Sequence, residues 1–113
     1  MIELSFPWPP KELSPNARVH WATKAKAAKK YKADCWWVCV KSWRRESYLE
    51  QLALSVKFHP PSARRADADN MLASCKNLFD AVSKYTGIDD SKFTITFSKA
   101  EPVKHGAVKV VIT

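Results

Sequence analysis

"LALSVKF", residues 52–58, decides the fold. Leu52, Leu54, Val56 and Phe58 alternate with Ala53, Ser55 and Lys57. A period of two puts the four large apolar side chains on one face of an extended chain and the small or charged ones on the other. The segment therefore reads as a strand with one buried face. Pro60 and Pro61 end it, because proline offers no N–H to a ladder. Such a strand needs neighbours at its edges and a layer over its apolar side.

The flanking sequence supplies both. Downstream, a helix starts near Asp69 or Asn70, both good N-cap types, and carries Met71, Leu72, Cys75, Leu78, Phe79 and Val82 on one face until Gly87. Two strands follow: "KFTITFS" (92–98) with Phe93, Ile95 and Phe97 inward, and "AVKVVIT" (107–113) with Val108, Val110 and Ile112 inward. Upstream, Ala22 to Trp43 has helical spacing, with Ala25, Ala28, Tyr31, Cys35, Val38 and Cys39 on one face. Its second half, Trp36–Trp43, is apolar nearly all round, which predicts a helix between two surfaces: the core of the sheet, or a subunit interface. Residues 9–20 are a loop broken by Pro9, Pro10 and Pro15, and "IELSF" (2–6) is a short strand. The order is β-α-β-α-β-β. It predicts an α/β (α+β) protein in which helices pack on a single mixed sheet, with residues 1–113 as one domain.

At 113 residues and 46% hydrophobic content the chain is long and apolar enough to fold, and disorder is not expected. No run of 18 apolar residues occurs, and "MIELSFPWPP" lacks the basic start and long apolar stretch of a secretory signal. A cytoplasmic protein with no membrane association is expected. Cys35, Cys39 and Cys75 form no C-x-x-C pair and read as buried free thiols; His20, His59 and His105 are too scattered for a zinc site.

The net charge is +8. Ten of the 19 Lys and Arg lie between Lys11 and Arg45, a span whose acids are Glu12 and Asp34. Such an excess attracts polyanions, nucleic acid first among them. Against this background stands "ARRADADN" (63–70), which sets Asp67 and Asp69 two apart beside Arg64 and Arg65. In an extended segment residues i and i+2 point the same way, so the two carboxylates can meet one cation. On the following helix, spacings of seven and four put Asp69, Lys76 and Asp80 near one stripe, away from the apolar face. A second acidic spot, Asp89 and Asp90, lies in the turn before the Phe93 strand, where the returning chain can bring one of them beside the first pair. Converging carboxylates without His or Cys suit Mg2+, or Mn2+. The same residues also have ordinary uses: Asp69 as an N-cap, Asp67 as a partner for Arg64 or Arg65, Asp89 and Asp90 as turn residues.

The motifs "FPWPP" (6–10), "RRADADN" (64–70) leading to "KNLFDAV" (76–82), and "GIDDS" (87–91), in this order, resemble the RusA family of Holliday-junction resolvases, small metal-dependent endonucleases of phages and prophages. "SPNARVHWATKAKAAKKYK" (14–32) is similar to the loop and basic helix of the phage-type members, and Asn16 in it is a possible supporting residue. The resemblance implies a RusA-like fold and metal-binding, catalytic acids at Asp67, Asp69 and Asp90, with Asp89 beside them. It implies a catalytic lysine at Lys76 and a homodimer that cuts four-way DNA junctions. The chain departs from the family at that lysine, which other members place one helical turn nearer the acids, where Ala73 stands here. Asn70 either supports the site or caps the helix. Arg64 and Arg65 are placed to grip phosphates, or simply add solubility. Lys24, Lys26, Lys29, Lys30 and Lys32 would follow the backbone of a DNA arm, and about five such contacts predict a salt slope near −4 to −5. A junction with two-fold symmetry, cut on opposed strands, calls for a C2 homodimer. Trp8 and Trp21 either stack on exposed bases or pack against the protein.

Overall fold

The structure, a computed structural model, describes residues 2–43, 50–63 and 68–112. In chain order the elements are β1 (Ile2–Phe6), α1 (Trp21–Ser42), β2 (Leu52–His59), α2 (Ala68–Ser74), α3 (Lys76–Thr86), β3 (Phe93–Lys99) and β4 (Ala107–Ile112). Single 3-10 turns occupy Lys11–Leu13 and Asp90–Lys92. The strands form one mixed sheet in the order β1-β4-β2-β3. β4 is antiparallel to both neighbours, while β2 and β3 are parallel. Antiparallel neighbours can be joined by short turns, but a parallel pair needs a crossover, which α2 and α3 provide.

The period-two reading of β2 holds: Leu52, Leu54, Val56 and Phe58 are buried and Ala53, Ser55 and Lys57 exposed. Leu4, Phe6, Val108, Val110 and Ile112 join them on the same face, and α1 and α3 cover it with Tyr31, Cys35, Cys39, Leu78, Ala81 and Val82. At roughly 1.5–3 kcal/mol for each large side chain fully buried, this layer supplies most of the driving force for folding. The other face of the sheet has no helix over it among the described residues, and it carries Glu3, Ser5, Lys57, Thr94, Thr96 and Lys109, all exposed.

Phe97 lies on the inward face, opposite Val56 and with its ring centroid 6.4 Å from that of Phe58, yet it is 38% exposed because β3 is an edge strand. The single helix expected from Asp69 to Gly87 breaks at Cys75 (φ −97, ψ 10). There the Cys75 N–H bonds the Leu72 carbonyl at 3.0 Å in a tightened 3-10 turn, and the Ser74 hydroxyl donates back to the Asn70 carbonyl at 2.8 Å. The seven-residue step from Asp69 to Lys76 therefore spans two helices, and only Lys76 and Asp80 still share one. Within one chain α1 is covered on one side: Cys35, Cys39 and Trp43 are buried, while Trp37 is 53% and Val40 38% exposed.

Side-chain bonds fasten the layers. The Tyr31 hydroxyl donates to the Pro7 carbonyl at 2.8 Å, tying α1 to the chain leaving β1. The Tyr85 hydroxyl donates to the Trp43 carbonyl, pinning the C-terminal ends of α1 and α3 together. Cys35, Cys39 and Cys75 are free and buried, as the sequence predicts. Burial pushes the Cys39 and Cys75 thiols up to about 12 and raises Cys35 and the Tyr31 phenol further. Gly87, at φ 76, caps α3 in the left-handed region, and its N–H bonds the Ser83 carbonyl at 2.8 Å.

Candidate functional site

α1 and α3 run side by side in the same direction. Their C-terminal ends meet at Trp43 and Tyr85, and their N-terminal halves diverge around an open groove of about 420 Å³. Lys24, Ala25 and Ala28 of α1 line one wall; Ala73, Ser74, Lys76 and Asn77, at the break between α2 and α3, line the other. Leu13 and Pro15 close one end, and Trp21, 76% exposed, stands at the mouth. Ala25, expected on the apolar core face, lines this groove instead and is exposed. The small residues Ala25, Ala28 and Ala73 keep the groove open, and the helix break admits Lys76 to it.

Local sequence explains each position. His20 caps α1, its Nδ1 accepting the Ala22 N–H at 3.2 Å, so the helix begins at Trp21 and leaves that indole in its first turn. Lys76 opens α3 directly after Cys75, whose buried side chain anchors the break. Lys24 and Lys76, the first from the basic helix and the second implied by family resemblance, are thus brought to one groove. Lys26, Lys29 and Lys30 are exposed elsewhere on α1, and Lys32 is half-buried. Trp8 packs half-buried against the core, while Trp21 faces solvent.

The acids are distributed differently. Asp69 lies exposed in the first turn of α2, followed by half-buried Asn70. Asp67, Arg64 and Arg65 lie outside the described residues. Asp89 caps the 3-10 turn after α3: its carboxylate accepts the Ser91 N–H at 3.3 Å and the Ser91 hydroxyl. The Ser91 hydroxyl, then the Ser91 N–H, hold the Asp89 carboxyl below the usual range. Asp90 is exposed in that turn. It follows the C-terminal end of α3, whereas Lys76 stands at the N-terminal end. Eleven helical residues, about 16 Å of axis, lie between those ends. Among the described residues no three His, Cys, Asp or Glu side chains are grouped to hold a metal ion. Asn16 is exposed, its N–H directed to the Ser14 hydroxyl at 3.4 Å.

Two ammonium groups and an exposed indole at one open groove suit a phosphate backbone. The groove was not legible in the sequence, since Ala25, Ala28 and Ala73 carry no signal of their own. Only the juxtaposition of α1 with the α2–α3 break gives them a role.

The chain is thus an α+β protein: one mixed four-stranded sheet, helices on one side, and a basic groove at the helix ends. It is 39% identical over 116 residues to a protein of Xylella fastidiosa (strain Temecula1 / ATCC 700964) described as an uncharacterized protein; the match covers 100% of this chain and 75% of that one. The chain belongs to the family of that protein. No protein-family model matches it. Among the described residues no helix is long and apolar enough to cross a membrane.

Proposed function

We infer that this protein is a Mg2+-dependent endonuclease of branched DNA, with the four-way junction as its main substrate, acting as a homodimer in the cytoplasm of a bacterial or phage-infected cell. The observation that carries this reading is the groove in which Lys24, Lys76 and Trp21 converge. The RusA-like motifs "RRADADN" and "GIDDS" add the acids. Asp67 and Asp69 would hold Mg2+, which commonly takes one or two carboxylates and completes its shell with waters and substrate phosphate. Mn2+ has the same preference for oxygen. Asp90 belongs to the catalytic set on family resemblance. In one chain it follows the end of α3 distant from Lys76, so a second subunit is one source for it. When bound, the cation supplies Lewis-acid polarisation of the phosphate and a more acidic water.

The chain's own residues do the rest. Lys76, exposed at the groove, offsets charge developing on the phosphate oxygens. Lys24 holds an adjoining phosphate, and Lys26, Lys29 and Lys30 extend the positive track along α1. Trp21 offers a face on which an unpaired base at a branch point stacks.

The dimer follows from the symmetry of the substrate and from α1. Asp34, Trp37, Val38 and Lys41 recur at helical spacing beside a shallow cavity of about 600 Å³. Asp34 and Lys41 are equidistant from the midpoint between Trp37 and Val38. A two-fold axis there pairs antiparallel copies of α1, so that each Asp34 meets Lys41 of the partner subunit and the exposed indoles are covered.

Cleavage and binding of a labelled four-way junction by the wild type and by Asp69→Asn test the reading. The expected result is Mg2+-dependent incision by the wild type, and by Asp69→Asn undiminished binding without incision. Tight binding with no divalent-dependent cleavage by either protein would overturn the enzyme reading in favour of a non-catalytic DNA-binding protein.

A further inference from the structure

We propose that the uncovered face of the sheet is a second DNA-binding surface, which holds the phosphate backbone of a duplex on Lys57 and Lys109. The strand register builds it. Lys109 pairs with Ser5 on β1 and with Lys57 on β2, and Lys57 pairs with Ser98 on β3. A continuous row Ser5–Lys109–Lys57–Ser98 therefore crosses all four strands, about 14 Å from edge to edge at 4.8 Å per step. Two like charges directly opposite each other on neighbouring strands repel and destabilise a sheet. An anion lying across them reverses the sign of that interaction.

The row borders a depression of about 480 Å³ whose lining includes Ser55, Lys57, His59, Ser98, Lys99 and Lys109. His59 is 4% exposed and fixed, its Nδ1 donating to the Glu101 carbonyl at 2.9 Å. Two acids, Glu3 and Glu101, also border it. Glu3 sits one row away, opposite Val111, and the Glu101 side chain is 80% exposed. Among the described residues neither Lys57 nor Lys109 has a carboxylate within 4.0 Å; the Glu101 carboxylate lies 3.7 Å from His59 Nδ1 instead. The positive charge of this face is thus left for an external partner.

The chemistry selects that partner. The exposed large apolar side chains, Val19, Trp21, Trp37, Val40 and Phe97, all lie off this face, so it has neither a stacking platform for bases nor an apolar anchor for lipid. Ammonium and hydroxyl donors in a row suit phosphate and sugar oxygens, which carry no sequence information. The surface lies across the sheet from α1 and α3 and is separate from the Lys24–Lys76 groove. With both occupied, one protein contacts two DNA segments, as a branched substrate presents them.

Duplex binding by the full-length protein, measured by fluorescence anisotropy without divalent metal from 50 to 200 mM salt, tests the proposal. A Lys57→Ala/Lys109→Ala variant should bind at least about tenfold more weakly at 50 mM salt. Its log–log salt slope should fall by about 2, at roughly 0.9 per lost phosphate contact. Both side chains are exposed, and a thermal melt checks the fold. Lys57→Arg/Lys109→Arg, which keeps the charge, should bind as the wild type does. Unchanged affinity and slope in the Lys57→Ala/Lys109→Ala variant would overturn the proposal, as would binding to phosphatidylserine vesicles in place of duplex. No cleavage is read, so this test stands or falls apart from the nuclease reading.

Discussion

Raising the pH should unfold this protein through its thiols. Cys39 and Cys75 are buried and ionise only at about 12 in the folded chain, against roughly 8.5 when unfolded. Between those values the unfolded state has released two protons that the native state keeps. Stability therefore falls as pH rises above the unfolded value, and below about pH 8 the effect vanishes. Each thiol contributes a slope of about 1.4 kcal/mol per pH unit. The pair together costs on the order of 3 kcal/mol by pH 9.5 and 5 kcal/mol by pH 10.5, a large part of the 5–15 kcal/mol typical of a domain. Cys35, raised in the same direction, adds to the loss. Urea melts at pH 7.5, 9.5 and 10.5 measure it. A Cys39→Ala/Cys75→Ala variant will be less stable at neutral pH, because each substitution leaves a small void, but its stability should decline less with pH by about those amounts. If variant and wild type lose stability in parallel between pH 7.5 and 10.5, the buried thiols are not the cause.

Further outcomes follow from the site and the packing. Trp37→Glu puts a charge at the centre of the proposed α1–α1 contact, and sedimentation velocity should show a folded monomer where the wild type is a dimer; an unchanged dimer moves the interface elsewhere. Lys76→Ala should slow single-turnover junction cleavage by about 100-fold with little loss of binding; an undiminished rate removes Lys76 from the mechanism. Gly106→Ala adds a Cβ 2.9 Å from the Trp8 side chain at φ +73, and chemical denaturation should show a loss of at least about 1 kcal/mol.

What the sequence made legible was local. The alternation in "LALSVKF" and "AVKVV" names the buried side chains of β2 and β4 correctly, because a strand with one wet face must repeat every two residues. The long spacing pattern of α1 gives its extent to within a residue or two. The buried cysteines were equally readable from their apolar surroundings. Long-range relations were not. Nothing in "KFTITFS" says that it pairs in parallel with β2 as an edge, and so nothing warns that Phe97 will be left half in water. The break at Cys75 was hidden, because Met71, Leu72, Cys75 and Leu78 keep helical spacing through it and the departure lies in one residue's dihedral angles. Of the candidate site, the residue types were visible and their meeting was not. Lys24 and Lys76 are 52 positions apart in sequence, and only the alignment of α1 with α3 brings them to one groove. The row of Lys57 and Lys109 likewise exists only once the register of β2 and β4 is fixed.

Incision of a mobile four-way junction with Mg2+, mapped on all four strands beside Y-shaped, flap and linear duplex controls, decides whether this protein is a junction-cutting nuclease. Paired nicks placed symmetrically across the branch point are expected, absent without divalent metal and absent with Asp69→Asn. No incision of any substrate under Mg2+ or Mn2+, from a folded protein that binds the junction, would contradict that reading.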